Sequence, residues 1–274
     1  MPKTKKTESD YQIAIPSYKR HNLLLAQTIP TLQKLGADLK RVTVFVADDQ
    51  EALIYRTAFE AAGVTIPVVV GVPGIGPQRQ FINMYYPEGT RIFSMDDDVS
   101  GVFQKVDNKF EPTTLTLDEI VEIGYRLCEE HGARIWGINA VLNGLFMKDT
   151  ATVGLRYVCG IFHGGYAQDP VLTSPDRSLI SSGEDFENTL RSYVTYGNIV
   201  RLDWLAPKTK YFNNGGIQES VGGKEARRLD HAKALGEICS RYPDLAKTYV
   251  KAGDVTNIRL KTKTAAKINR EDLA

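Results

Sequence analysis

Apolar residues recur in short blocks along the first hundred positions, and two spacings alternate between the blocks. "YQIAI" (11–15) is a compact apolar run stopped by Pro16, as a strand would be. In "NLLLAQTIPTLQKLG" the apolar residues Leu24, Ala26, Ile29, Leu32 and Leu35 fall at helical intervals, and a glycine closes the pattern. "RVTVFVA" (41–47) is β-branched and apolar, and "EALIYRTAFEAAG" again reads as a helix ending on Gly63. "IPVVVG" (66–71) predicts a third strand, and "PQRQFINMYY" a helix with Pro77 in its first turn. "TRIFSM" (90–95) predicts a fourth strand. Near-continuous apolar strands separated by helices of about ten residues imply a parallel sheet covered on both faces.

The second half is less regular. Thr116 and Glu119 have capping-box spacing ahead of a helix reaching about His131. "RIWGINAV", "RYVCGIFHGG" and "NIVRLDW" predict strands, and "EDFENTLRSYVTYG" a helix. "APKTKYFNNGGIQESVGG" has the composition of a functional loop, and a helix-rich piece is expected from about Lys224. The organisation expected is one α/β domain over 1–222, with halves at about 11–100 and 101–222, and a basic helical extension over 223–274.

Composition adds bounds. The 274 residues are 42% hydrophobic and 24% charged, with a formal charge of +1, so no global field selects a polyanion or membrane. Both ends are locally basic, "MPKTKK" at the start and Arg259, Lys261, Lys263, Lys267 and Arg270 near the finish. Cys128, Cys159 and Cys239 form no CxxC pair or disulfide framework, which fits a reducing compartment. Without a membrane-length apolar run or a signal-type N-terminus, a cytoplasmic protein is expected (host cytoplasm if viral).

Each proposed strand of the first half ends in a chemically loaded segment: "PSYKR", "DDQ", "GVPGIGPQR" and "DDD". In open α/β sheets ligands sit beyond the carboxyl ends of the strands, so these segments would gather on one rim. Three adjacent carboxylates repel, at roughly 4 kcal/mol for a pair about 4 Å apart near a protein surface. If the segment is extended, Asp96 and Asp98 face one way and Asp97 the other. That spacing suits Mg²⁺ or Mn²⁺, which take one or two carboxylates and complete their shell with water and phosphate oxygens. A solvated acidic turn is the plain alternative. "GIGPQR" lacks the third glycine of a dinucleotide turn and follows the third strand, which excludes a nicotinamide fingerprint, and no GxxxxGK[ST] loop is present.

The ordered series "IAIPSYKR", "VFVADDQE" and "GIGPQRQFINMYYPEGTRIFSMDDDVS" resembles the nucleotide-binding half of GT-A glycosyltransferases of the family-2 type. Its motifs "PSYKR", "GIGPQRQ" and "MDDDV" are most similar to the phage TET-associated glycosyltransferases, which act on hydroxymethylated pyrimidines in DNA. The resemblance implies a GT-A Rossmann-like sheet and a nucleoside-diphosphate sugar donor, UDP-linked, bound with Mn²⁺ or Mg²⁺. It implies that Asp98 binds the metal and that Asp96 holds the ribose or shares the metal. Pro16, Tyr18, Arg20, Asp48, Asp49, Arg79 and Asp97 would line the nucleotide, with Asp48 or Asp49 at the base or ribose and both arginines at phosphate or base. Helix capping is the alternative for the two aspartates after the second strand, and surface ion pairing for the arginines.

"SSGEDFENTL" resembles the acidic motif ahead of the acceptor-side helix in inverting GT-A enzymes, which makes Asp185, ahead of Glu184, the general base. The plain alternative is a helix start, with Ser182 as cap and acids in the first turn. Asn214, Gly215 and Gly216 allow close backbone approach, so that loop is a candidate to close over the diphosphate or sugar. His231 is the only histidine after the acidic motif and the candidate for a further metal ligand; Trp204 reads as a sugar-stacking or, more simply, a buried ring. DNA is the acceptor implied by the narrower resemblance, with protein or polysaccharide the alternative. Two rival classes are a metal-dependent phosphohydrolase or nuclease and a non-catalytic nucleotide-binding module.

Overall fold

A computed structural model describes residues 10–107, 109–174, 182–209, 224–251, 255–262 and 265–273, with only the backbone described at 224–227. The apolar runs of the first half become β1 (Gln12–Pro16), β2 (Val42–Val46), β3 (Val68–Val70) and β4 (Arg91–Met95), paired parallel in the order β3-β2-β1-β4. Between them lie α1 (His21–Leu23), which runs through a π turn at Leu24–Thr28 into α2 (Ile29–Lys34), then α3 (Asp49–Ala61) and α4 (Ile75–Tyr85).

Burial on both faces explains why these strands lack polar alternation. Val42, Val44 and Val46 belong to the main core, while Phe45 between them belongs to a second cluster with Ala14, Ile82 and Ile92. That is the two-sided cover the sequence predicts.

After β4 the chain makes β5 (Val99–Val106) and β6 (Lys109–Pro112), then α5 (Leu117–His131). The capping box at Thr116 and Glu119 forms in both directions. β7 (Trp136–Ile138), β8 (Thr150–Val153), β9 (Phe162–Tyr166), α6 (Pro170–Thr173), α7 (Glu184–Tyr196), β10 (Val200–Leu202) and β11 (Leu205–Thr209) follow. The last part holds α8 (Lys224–Arg241), β12 (Ala246–Lys251), β13 (Val255–Leu260) and β14 (Ala266–Asn269). Among the described residues the main sheet has nine strands in the order β14-β8-β10-β7-β9-β4-β1-β2-β3. All run one way except β9 and β8, which are antiparallel to their neighbours.

Three features depart from the sequence reading. "RYVCGIFHGG" is a strand only from Phe162, and the residues before it form the loop that approaches β4. Residues 206–209, read as loop, form β11 with Leu205, and β11 joins β5 and β6 in a separate three-stranded sheet. The C-terminal piece is helical only to Arg241; β12 and β13 pair as a hairpin, and β14 joins the main sheet beside β8. Its strands, AKTYVK, VTNIRL and AKIN, break up their apolar residues with polar and basic ones, so they lack the apolar runs that mark the early strands.

The core beneath the second half is aromatic. Phe93 meets Phe162 edge-on at 4.5 Å and stacks with Trp136 at 6.1 Å. Trp136 fits because Gly124 and Gly164 face its ring; a Cβ on either would lie 2.3 or 2.1 Å from it. Trp204 is 1% exposed, so the buried-ring reading holds.

Candidate active site

The carboxyl ends of β1, β2, β3 and β4 form one rim, and the "DDD" segment turns there between β4 and β5. It is not extended. Asp97 and Asp98 both reach the same nitrogen, Arg20 Nη1, at 3.2 Å, so they do not face opposite ways as an extended segment would require. Asp97 is the buried member, 4% exposed, and its second oxygen accepts from Ser17 Oγ at 2.5 Å. Ser17 in turn bonds the Tyr55 hydroxyl at 2.6 Å, and Tyr55 accepts from the Arg20 backbone N–H at 2.9 Å. Asp97 therefore ties the turn to the loop after β1.

The π turn fixes the backbone of the same segment. Thr28 Oγ1 donates to the Asp96 carbonyl at 3.1 Å and accepts from Val99 N at 3.1 Å, while Thr31 Oγ1 donates to the Val99 carbonyl at 3.1 Å. A π turn widens the helix by one residue, and such turns often mark functional sites. Here Thr28, the last residue of the π turn, and Thr31, in α2 just beyond it, both bond the aspartate turn.

Arg79 links the two acidic groups. It is 8% exposed, in the second turn of α4. Its Nη2 lies 3.1 Å from Asp96 Oδ1, and its Nη1 lies 2.6 Å from Asp185 Oδ1 and 3.4 Å from Glu184 Oε1. The guanidinium lies against Gly160, where a Cβ would sit 1.3 Å from Nη1. Only a glycine leaves that path open. Neighbouring Gln78 accepts from Val72 N at 2.8 Å and donates to the Val46 carbonyl at 3.0 Å, so the helix start is stitched to the ends of β2 and β3.

Glu184 and Asp185 open α7, whose N-cap is Gly183 in the left-handed region (φ 81°) without a side-chain cap. The capping role considered for Ser182 is not realised; its hydroxyl bonds His231 Nδ1 at 2.6 Å instead. Asp185 is surrounded by donors: Arg79 on one oxygen, and on the other Tyr157 at 3.2 Å and the Cys159 thiol at 3.5 Å. Burial opposes its charge, yet Arg79 and the Gly160 backbone hold its carboxyl below the usual range. Burial and the charge of Asp185 push Glu184 the other way, above it. Burial also raises the aspartate turn, Asp97 to about 7, and Asp98, with Asp96 adding its repulsion, to about 6.

The remaining expected residues divide. Pro16 ends β1 in register with Phe45, and Tyr18 is half-buried in the loop that follows. Asp48 is the N-cap of α3, accepting from Glu51 N at 2.8 Å, so its capping alternative is the one realised; Asp49 follows it, exposed in the first turn. Asn214, Gly215 and Gly216 lie outside the described residues. Glu51, Tyr157 and Cys159 were not singled out by sequence. Glu51 is 6% exposed and accepts from Lys19 N at 2.6 Å and Ala47 N at 3.2 Å, bracing the loop after β1 against the end of β2. Lys19 itself adopts φ 55°, which the bond to Glu51 supports.

Among the described residues, no group of three or more His, Cys, Asp or Glu side chains is arranged as a metal cage. The donor set still fits a cation of the Mg²⁺ or Mn²⁺ kind, which needs only one or two carboxylates from protein. Five carboxylates, Asp96, Asp97, Asp98, Glu184 and Asp185, meet the two guanidiniums of Arg20 and Arg79, leaving an excess of negative charge when all ionise.

No protein-family model matches the chain, and no curated protein sequence matches it significantly. Solved structures do match. A mannosyltransferase from Pyrobaculum calidifontis in complex with GDP-Man and Mn²⁺ superposes with a TM-score of 0.53 at 10% identity, over 88% of this chain and 66% of that one. The 1–349 fragment of S. aureus TarS gives 0.50 at 15% identity, over 86% and 66%. The fold is theirs. A glucosyl-3-phosphoglycerate synthase from Mycobacterium tuberculosis, in complex with Mn²⁺, UDP and glucosyl-3-phosphoglycerate, spans 96% of this chain and 91% of its own at 10% identity, with a TM-score of 0.49. This chain spans about two thirds of the length of the first two. The GT-A sheet expected from the sequence, mostly parallel and flanked by helices, is the one observed.

Proposed function

We propose that the chain is a metal-dependent glycosyltransferase moving a sugar from a nucleoside-diphosphate sugar, with UDP the first nucleotide to test, to an acceptor hydroxyl. The observation that carries this reading is the meeting of the β4 aspartate turn and the α7 acidic pair across Arg79. One acidic group suits the donor's diphosphate and cation, the other the acceptor's proton. The fold shared with the mannosyltransferase supports it.

In this reading Asp98, with Asp96, holds the cation. When bound, the cation supplies Lewis-acid stabilisation of the departing diphosphate. Arg20 keeps Asp97 and Asp98 oriented, and Asp97 anchors the turn instead of meeting the donor. Asp49 remains the candidate for ribose or base, since the Asp48 carboxylate is engaged as a cap. Glu184 takes the acceptor proton, and Asp185 stays ionised and fixes the geometry, because its lone pairs already accept from Arg79, Tyr157 and Cys159. This reverses the order expected from the sequence. Glu184→Gln is expected to lower kcat by ~10²- to 10⁴-fold with the donor KM unchanged. If only Asp185→Asn does so, the roles are exchanged.

For the acceptor we propose a 5-hydroxymethylpyrimidine in DNA, supported by the motif resemblance. A duplex base would have to leave the stack to reach Glu184. The donor is tested by thermal melting with UDP, GDP, ADP and CMP, with and without Mn²⁺. One diphosphate at about 100 times its Kd is expected to stabilise the protein by about 2.7 kcal/mol, in a Mn²⁺-dependent manner. Stabilisation by none of them would sink the donor site.

A further inference from the structure

Far along the chain from the acidic residues, β12 and β13 form a two-stranded antiparallel ribbon that, among the described residues, pairs with no strand of the main sheet. Its two faces differ. Ala246, Ile258 and Leu260 point inward and pack with Leu235 and Ile238 of α8 and Leu190 of α7. The alternate residues therefore point outward: Lys247, Tyr249 and Lys251 on one strand, Val255, Asn257 and Arg259 on the other. No acid stands among them.

Two details of this outward face are unusual for a merely solvated one. Lys247 and Arg259 are direct cross-strand partners. Like charges placed opposite each other weaken a ribbon, and a two-stranded ribbon has little stability to lose. Among the described residues neither cation, nor Lys251, has an ion-pair partner. The Tyr249 ring is flanked by both neighbours, with the Arg259 guanidinium 5.0 Å and the Lys251 ammonium 6.0 Å from its centroid. The face thus sets two positive charges at one aromatic ring and a third, Lys247, opposite Arg259, on a chain whose total charge is +1.

We infer that this face docks duplex nucleic acid, with Lys247, Lys251 and Arg259 on the phosphates. The inference rests on the DNA-acceptor reading above and adds where the acceptor is held. Charge complementarity selects the partner: the field is positive, and duplex DNA presents one negative charge per about 1.7 Å of axis. Shape agrees, since the major groove admits a two-stranded ribbon. Lys247 and Lys251 are four residues apart on one strand, roughly 14 Å at about 3.4 Å per residue, long enough to meet separate phosphates. The ribbon reaches the acidic pair through α8: Leu235 and Ile238, which pack under the ribbon, also lie against Gly183, with a Cβ there 2.7 Å from Leu235 Cδ2. A duplex held on the ribbon is therefore fixed relative to the start of α7 by one layer of helix.

The test is fluorescence anisotropy of the full chain with a labelled 20-base-pair duplex across a salt series. The comparison is with a K247A/K251A/R259A variant and, as a milder change, with Lys251→Gln. Wild type is expected to bind with a steep salt dependence. The triple variant should flatten the slope of log K against log salt by about 2.7 and the single variant by about 0.9, because three phosphates and one phosphate, respectively, are no longer neutralised. Both variants should keep the Mn²⁺-dependent nucleotide shift of wild type, which separates this inference from the catalytic reading. Equal duplex affinity and slope in wild type and variants overturns it, as does binding to anionic lipid vesicles but not duplex, or tighter binding of the single strand than the duplex. Loss of the nucleotide shift in wild type, with duplex binding intact, would count against the transferase and leave the docking face standing.

Discussion

Asp98→Ala is expected to reduce transfer at least ~10³-fold while raising the melting temperature of the metal-free protein at pH 8. The activity term follows from the proposed cation site: a thousandfold loss corresponds to about 4 kcal/mol of transition-state stabilisation, within what one Lewis-acid contact supplies. The stability term follows from crowding. Burial first, and then the charge of Asp96, lift the Asp98 carboxyl to about 6. A carboxyl raised in the folded state binds its proton more tightly there than in the unfolded chain, so stability is lost as pH rises from about 4 through about 6. Alanine removes that loss, and Arg20 keeps Asp97 as a partner. The gain should therefore be full at pH 8, shrink to about a third of that near pH 4.5, and vanish only below about pH 4. Melting curves in EDTA at the two pH values read it directly. A variant that is less stable at pH 8, or fully active, contradicts the role given to Asp98.

Arg79→Met is expected to have the opposite signature, losing both activity and fold stability. Methionine resembles the arginine stem in bulk, so the change isolates the guanidinium. Removing one partner of a buried ion pair costs about 3–5 kcal/mol because it leaves buried charge uncompensated. Here Asp96, Glu184 and Asp185 would all be left. Without the guanidinium their folded-state affinities for protons rise further, so the variant should recover part of its deficit as pH falls from 8 toward 5. Arg79→Lys is not expected to restore function, since one ammonium cannot place separate donors on Asp96 and Asp185. Denaturant melts at several pH values test the prediction. A deficit that does not change with pH would mean that Arg79 acts by packing alone.

The first half of the fold was legible because each strand is buried on both faces, which writes the strand as an unbroken apolar run. The Thr116 and Glu119 box was legible because capping is local chemistry. The "DDD" turn, the pair at 184–185 and the arginines Arg20 and Arg79 stood out as chemistry at element ends, but the residues that brace them did not. Glu51 looks like any polar residue in the first turn of an amphipathic helix, and only the folded loop after β1 gives it two backbone donors. Tyr157 and Cys159 read as part of a strand, yet they lie in a loop bent toward Asp185 by the pairing of β9 with β4. β5 lacks a clean two-residue alternation, its buried positions being Val99, Val102 and the polar Gln104, so no local pattern announced the second sheet. Whether Asp97 or Asp98 is the anchored member depends on where Ser17 and Arg20 arrive from β1, which no local pattern encodes.

β14 gives this topology a consequence for synthesis. Residues 266–269 pair with β8 at 150–153, more than a hundred positions earlier, and Leu273 just beyond them enters the main core. As the ribosome extends the chain from its N-terminus, β8 emerges long before its outer neighbour and waits with an open edge. Such an edge is a template for pairing between nascent chains. That edge can be covered only after residue 269 has emerged, so β14 sets the end of a period in which the growing chain is most vulnerable to association.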